Sequence, residues 1–113
     1  MQASRLTSVM FSLFFALAAA SAQTPPADTT LTANPVFHKN CVKCHGKTAA
    51  GRHFGGPSLV SEKTTSASTG ELRNIIINGK GRMPKYASRL TPEEIETLVA
   101  QIKALQIKAL KKK

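Results

Sequence analysis

The sequence predicts an all-α domain of three to four helices, and three observations carry that prediction. Asn34-Pro35 and Thr91-Pro92-Glu93-Glu94 each set a capping side chain before a proline at the first helical position. Ser68-Thr69-Gly70-Glu71 has the spacing of a capping box. Apolar residues then recur at helical spacing behind these starts: Phe37, Cys41 and Cys44; Leu72, Ile75 and Ile76; and Ile95, Leu98, Val99, Ile102 and Leu105.

The helices are organised around Cys41-Val42-Lys43-Cys44-His45. Two cysteines three apart with a histidine directly after form the attachment signature of a covalently bound haem. On a helix, positions i and i+3 share a face, so both thiols can meet the two vinyl groups of one haem edge. His45 follows Cys41 by one turn, and its neutral imidazole is a good iron ligand. A redox disulfide would call for a cytosolic chain and a nearby βαβ pattern, neither of which is present. A zinc site would need four ligands, drawn from His38, Cys41, Cys44 and His45 or His53, and no second cysteine pair or finger spacing follows.

The 113 residues allow one small domain. Residues 1–22 read as a secretory signal: Arg5 is basic, residues 9–20 are almost wholly apolar, and Ala20-Ser21-Ala22 offers a small-residue cleavage site. The apolar run is short for a membrane span. Cleavage leaves a domain of ~90 residues, which usually needs a staple. A disulfide between Cys41 and Cys44 would close a tiny loop and constrain little; a haem supplies both the tether and an apolar body for a core that has no tryptophan. The formal net charge of +10 favours acidic partners or anionic surfaces, and export argues against nucleic acid. No nucleophile–base pair, paired carboxylates or phosphate loop appears, so the chain does not read as an enzyme.

Residues 23–33, with Pro25, Pro26 and several threonines, read as a flexible linker. Residues 34–110 form the domain, and 111–113 a solvated basic tail. The first helix opens at Asn34-Pro35, turns Phe37 inward, carries the cysteines on one continuous face and stops at Gly46. His38 reads as a partly exposed surface residue. In the glycine-rich loop at 51–59, the Pro57 carbonyl is a candidate acceptor for the second ring nitrogen of His45. Phe54 and Leu59 are expected to pack on the haem or core, Arg52 to meet a propionate or face solvent, and His53 is a weaker rival for the iron. Residues 61–69 read as loop or a weak helical turn. The cap at Ser68 and the stop at Asn78-Gly79 favour a helix over a strand for Ile75-Ile76-Ile77.

Met83 is the sole methionine beyond the signal. In a loop between glycines and Pro84, its thioether is expected to bind the iron from the side opposite His45. The last helix, from Leu90 to Lys108, needs a partner for its apolar stripe, and Val36 with Phe37 is the natural one. Gln-Ile-Lys-Ala-Leu occurs twice, at 101–105 and 106–110. A five-residue period rotates the second copy off the stripe, so that copy is expected to fray.

The order of Cys41-Val42-Lys43-Cys44-His45, Gly56-Pro57-Ser58-Leu59, Met83-Pro84 and a final amphipathic helix resembles the class I cytochromes c, and the short bacterial members more than the mitochondrial protein. The resemblance covers essentially all of the chain after the signal. It implies a fold of three to four helices wrapped around one haem c held by two thioethers, with the first and last helices crossing beside it. It implies haem contact by Cys41, Cys44, His45, Pro57 and Met83, the Pro57 carbonyl accepting from His45, and iron ligation by His45 and Met83. This chain lacks the glycine often found in the first helix and the aromatic often found in the last.

The function expected from these readings is an exported, periplasmic, single-haem electron carrier. It would be monomeric, without a membrane span after signal cleavage, and would dock acidic redox proteins through some of Lys39, Lys43, Lys80, Arg82 and Lys85. Two other readings stand beside it: a haem subunit of a larger periplasmic dehydrogenase or oxidase, and a haem peroxidase or gas sensor with a displaceable sixth ligand.

Overall fold

The computed structural model describes residues 30–112. The signal read at 1–22 and most of the linker lie outside these residues. A 3-10 turn at Leu31–Ala33 leads into α1 (Pro35–Asn40), α2 (Val42–His45), α3 (Glu62–Thr65), α4 (Thr69–Asn78) and α5 (Pro92–Lys111). Among the described residues the fold is helical throughout, with one isolated bridge between Lys80 and Met83 in place of a sheet.

The three helix starts form as their chemistry dictates. Asn34 accepts from Val36 N, and Ser68 and Thr91 each close a complete capping box with Glu71 and Glu94. Each cap satisfies backbone N–H groups that the helix itself leaves unpaired. The core gathers Leu31, Phe37, Leu72, Ile76, Tyr86, Ile95, Leu98, Val99 and Ile102, with Leu59 and Met83 at its edge. α5 lies along α4 and against the 3-10 turn.

Three sequence expectations need revision. Leu31, read as linker, is fully buried in the core; an isolated leucine among threonines carries no periodicity, so its burial has no local signal. The first helix is not continuous but breaks at Cys41, where φ is −117°. The Asn40 amide turns back to the Val36 carbonyl at 2.9 Å, and the Asn40 carbonyl is taken by the Tyr86 hydroxyl at 2.9 Å. Cys44 N then bonds the Cys41 carbonyl three residues back rather than that of Asn40 four back.

The third revision concerns the second copy of the repeat, which does not fray: α5 runs unbroken to Lys111. Gln106 is buried and donates to the carbonyls of Leu59 (2.9 Å) and Thr64 (3.2 Å). Lys103 donates to the carbonyls of Thr65 (3.2 Å) and Ala67. Polar side chains, not apolar ones, clasp the end of α5 to the 59–67 segment. At the other end of the fold, Asn34 donates to Gln101 at 2.7 Å in a buried bond that joins the start of α1 to α5.

Candidate haem site

The break at Cys41 sets the exposure of the two thiols. Cys41 is half-buried and Cys44 exposed, and both are free. Burial, and then the neighbouring Cys44, push the Cys41 thiol up to about 11. A thiol so placed stays protonated at neutral pH, unlike the low-pKa thiolate of a redox Cys-x-x-Cys pair. The zinc alternative also lacks a site: among the described residues no group of three or more His, Cys, Asp or Glu side chains converges.

His45 ends α2 and is buried. Its Nδ1 lies 2.9 Å from the Pro57 carbonyl. A carbonyl only accepts, so Nδ1 carries the proton and Nε2 keeps the lone pair that a metal needs. Gly56 passes flat against this ring. A Cβ built there would stand 2.8 Å from His45 Cε1 and 2.9 Å from Nδ1, closer than any side chain allows. The loop is pinned in place by Gly56 N donating to the Cys44 carbonyl (2.7 Å) and Leu59 N to the Ala49 carbonyl (2.8 Å). The glycine-rich loop therefore lets backbone approach the imidazole face, rather than only a cofactor plane.

Met83 sits in a turn closed by two backbone bonds with Lys80, at 3.2 and 3.0 Å. Gly79 at φ 73° makes the turn possible, since a Cβ there would meet the Met83 carbonyl at 2.5 Å. Met83 is half-buried against the core. Three residues on, buried Tyr86 donates its backbone N–H to Ile76 and its hydroxyl to Asn40, the residue before Cys41. The methionine loop is thereby linked to the cysteine segment. Sequence reading missed this role; the signal for it was that Tyr86 is the chain's lone tyrosine.

Phe54 does not pack in the core, one of the two places expected for it. It is 92% exposed, its ring edge-on to His53 at 4.6 Å. It caps a tight turn in which Gly55 N bonds Arg52 and Arg52 N bonds Gly56, and the turn aims its tip outward. Arg52 donates to the Lys43 carbonyl at 3.0 Å, and Lys43, Arg52, His53 and Phe54 line one shallow surface depression. His38, exposed as expected, places Nε2 2.6 Å from the Thr32 carbonyl.

Residues 28–102 match the family model described as cytochrome c oxidase, cbb3-type, subunit III. The chain belongs to that family, as a class I c-type cytochrome. This cytochrome is 30% identical over 77 residues to cytochrome c6 of Gloeothece citriformis, an alignment covering 59% of this chain and 63% of that protein. It is 32% identical over 72 residues to cytochrome c6 of Anabaena variabilis, covering 59% and 80% respectively. The chain thus spans less than two thirds of the length of the first of these relatives. Its fold superposes on the c-type cytochrome KustC0563 with a TM-score of 0.56 at 21% identity, covering 63% of this chain and 93% of the other.

Family membership makes haem c the cofactor, and the residues present fit it. Two thiols one turn apart, a buried imidazole fixed in the ligating tautomer, and a backbone cradle against that ring are the donor set such a group requires. The surface around the cytochrome's cysteines is basic. No acid occurs between residues 30 and 61, whereas Lys39, Lys43, Lys47 and Arg52 are exposed there. Glu62, Glu71, Glu93 and Glu94 lie in the first turns of α3, α4 and α5, where the helix dipole favours negative charge, and Glu96 pairs with Arg73. Among the described residues, no helix is long and apolar enough to cross a membrane.

Proposed function

We propose that this cytochrome is an exported, monomeric, single-haem electron carrier, with thioether links at Cys41 and Cys44 and with His45 and Met83 as the two axial ligands. Haem c, when bound, supplies an iron that takes up and returns one electron. The reading rests above all on His45: buried, its Nδ1 proton donated to Pro57 and its ring face covered by Gly56. That arrangement holds the imidazole in one tautomer and one orientation through a redox cycle, so little reorganisation accompanies electron transfer. Met83, in a turn held by Gly79 and tied through Tyr86, suits a soft ligand that favours the reduced state and raises the potential. Two filled axial positions leave no room for substrate, which is why we read a carrier and not an enzyme. The exposed Lys39, Lys43, Lys47 and Arg52 around the cysteine segment suit an acidic redox partner.

The experiment is a pair of visible spectra, oxidised and reduced, of the purified protein and of Met83→Ala. The wild type should show a six-coordinate c-type spectrum with the far-red band of thioether ligation and should not bind carbon monoxide at neutral pH. Met83→Ala should lose that band, bind carbon monoxide and drop in potential. An unaltered spectrum in the variant would mean another sixth ligand. Carbon monoxide binding by the reduced wild type would instead favour a sensor or peroxidase.

A second reading, a haem subunit of a larger oxidase or dehydrogenase, is favoured by the description of the matching family model as an oxidase subunit. Co-purification with a larger complex that survives high salt would support it over the free carrier.

A further inference from the structure

The two copies of Gln-Ile-Lys-Ala-Leu present opposite faces to the fold. Five residues advance a helix by about 140° beyond a full turn, so equivalent aliphatic residues land on different sides of α5. Ile102 and Leu105 of the first copy pack inward. Ile107 and Leu110 of the second copy are 55% and 51% exposed. Both glutamines still point inward: Gln101 reaches Asn34, and Gln106 reaches Leu59 and Thr64. The end of α5 is therefore clasped to the body by polar bonds while it holds two aliphatic side chains outward, three residues apart on one face.

Lysines surround those two residues. Lys108, Lys111 and Lys112 are exposed, Lys113 follows in the sequence, and no acid occurs after Glu96. We propose that this outer face of α5 docks on an anionic lipid surface. Ile107 and Leu110 enter the boundary between headgroups and acyl chains, and the lysines meet the phosphates. The composition favours lipid over a protein partner: binding centres between proteins are enriched in tryptophan, tyrosine and arginine, and this patch has none. Lysine stems lie along apolar surface while their ammonium groups reach outward, as a helix resting in a membrane interface requires. A second copy of the chain is disfavoured, since pairing two such ends would press lysine against lysine. The bonds of Lys103 and Gln106 to the body present the face already folded, so little ordering opposes docking.

The test is co-sedimentation of the exported holoprotein, isolated after removal of residues 1–22, with vesicles of phosphatidylglycerol mixed with phosphatidylcholine, against phosphatidylcholine alone. Each lysine near an anionic surface adds about fivefold in affinity, so the mixed vesicles should bind at least ~tenfold more tightly, and added salt should release the protein. Ile107→Ser with Leu110→Ser, and separately Lys111→Glu with Lys112→Glu, should each weaken binding ~tenfold. Neither pair should alter the visible spectrum or the melting temperature. All other residues are common to these proteins, so the difference reads the end of α5 alone. Equal binding by the variants, equal binding to neutral vesicles, or no binding by the wild type would overturn the proposal. So would self-association that both variants abolish, which would make a second copy the occupant.

Discussion

Gly56 carries one of the tightest demands in the molecule, because an alanine there would drive its methyl group into the His45 ring. Gly56→Ala should displace the imidazole from the Pro57 carbonyl and leave a protein with little bound haem or an altered axial spectrum. A normal pyridine haemochrome yield and spectrum would show that the cradle is dispensable. Tyr86→Phe is milder: it removes one hydrogen bond to the Asn40 carbonyl, worth ~1 kcal/mol, and a denaturant titration of the holoprotein should return a loss of about that size. At this scale the sequence was partly readable. The contact between the second ring nitrogen of His45 and the Pro57 carbonyl could be named from ligand chemistry, and it forms. The Tyr86 bond joins residues far apart in the chain, and no local pattern announces such a contact. Phe54 stands outside the core for a related reason: the turn that aims it is closed by backbone bonds among Arg52, Gly55 and Gly56, which no count of apolar residues registers.

The helices announced their starts better than their ends. Caps at Asn34, Ser68 and Thr91 are local chemistry and could be read directly, and all three form. The break at Cys41 sits beside the Asn40 carbonyl that the Tyr86 hydroxyl binds from far along the chain, a contact periodicity does not show. The extension of α5 depends on Gln106, a polar residue that an apolar count passes over. Gln106→Ala would take the side-chain donor from the part-buried Leu59 carbonyl, at a cost of about 1–3 kcal/mol; thermal unfolding should register it, with Lys108→Ala as a silent control. The acid limb of stability also belongs to the helices. Hydrogen bonds from Ser68 hold Glu71 below its ordinary 4.5, and the Arg73 side chain does the same for Glu96. Both groups are exposed, and their contributions are present above about pH 4.5 and fade as pH falls through the lowered folded values. Glu71→Gln with Glu96→Gln should flatten the acid side of a melting-temperature profile and slightly lower the plateau at neutral and alkaline pH.

For the molecule as a whole, charge is sorted along the chain: residues 30–61, which carry both cysteines, are free of acids, and glutamates mark the helix starts. Electron exchange with an acidic protein acceptor should therefore slow as ionic strength rises, measured by stopped-flow. Phe54→Ala should lower the rate without altering that slope. A rate indifferent to salt would remove electrostatic steering from the account. The fold as a whole also binds beginning to end. Leu31 and Asn34 rest on α5, the Leu59 carbonyl accepts from Gln106, and Arg73 pairs with Glu96. Gln101, Glu96 and Gln106 all belong to α5, far along the chain from the groups they hold. Until α5 is in place the segment with both cysteines has no finished core to settle on, so the two ends of the domain must set together, like a buckle that fastens only once.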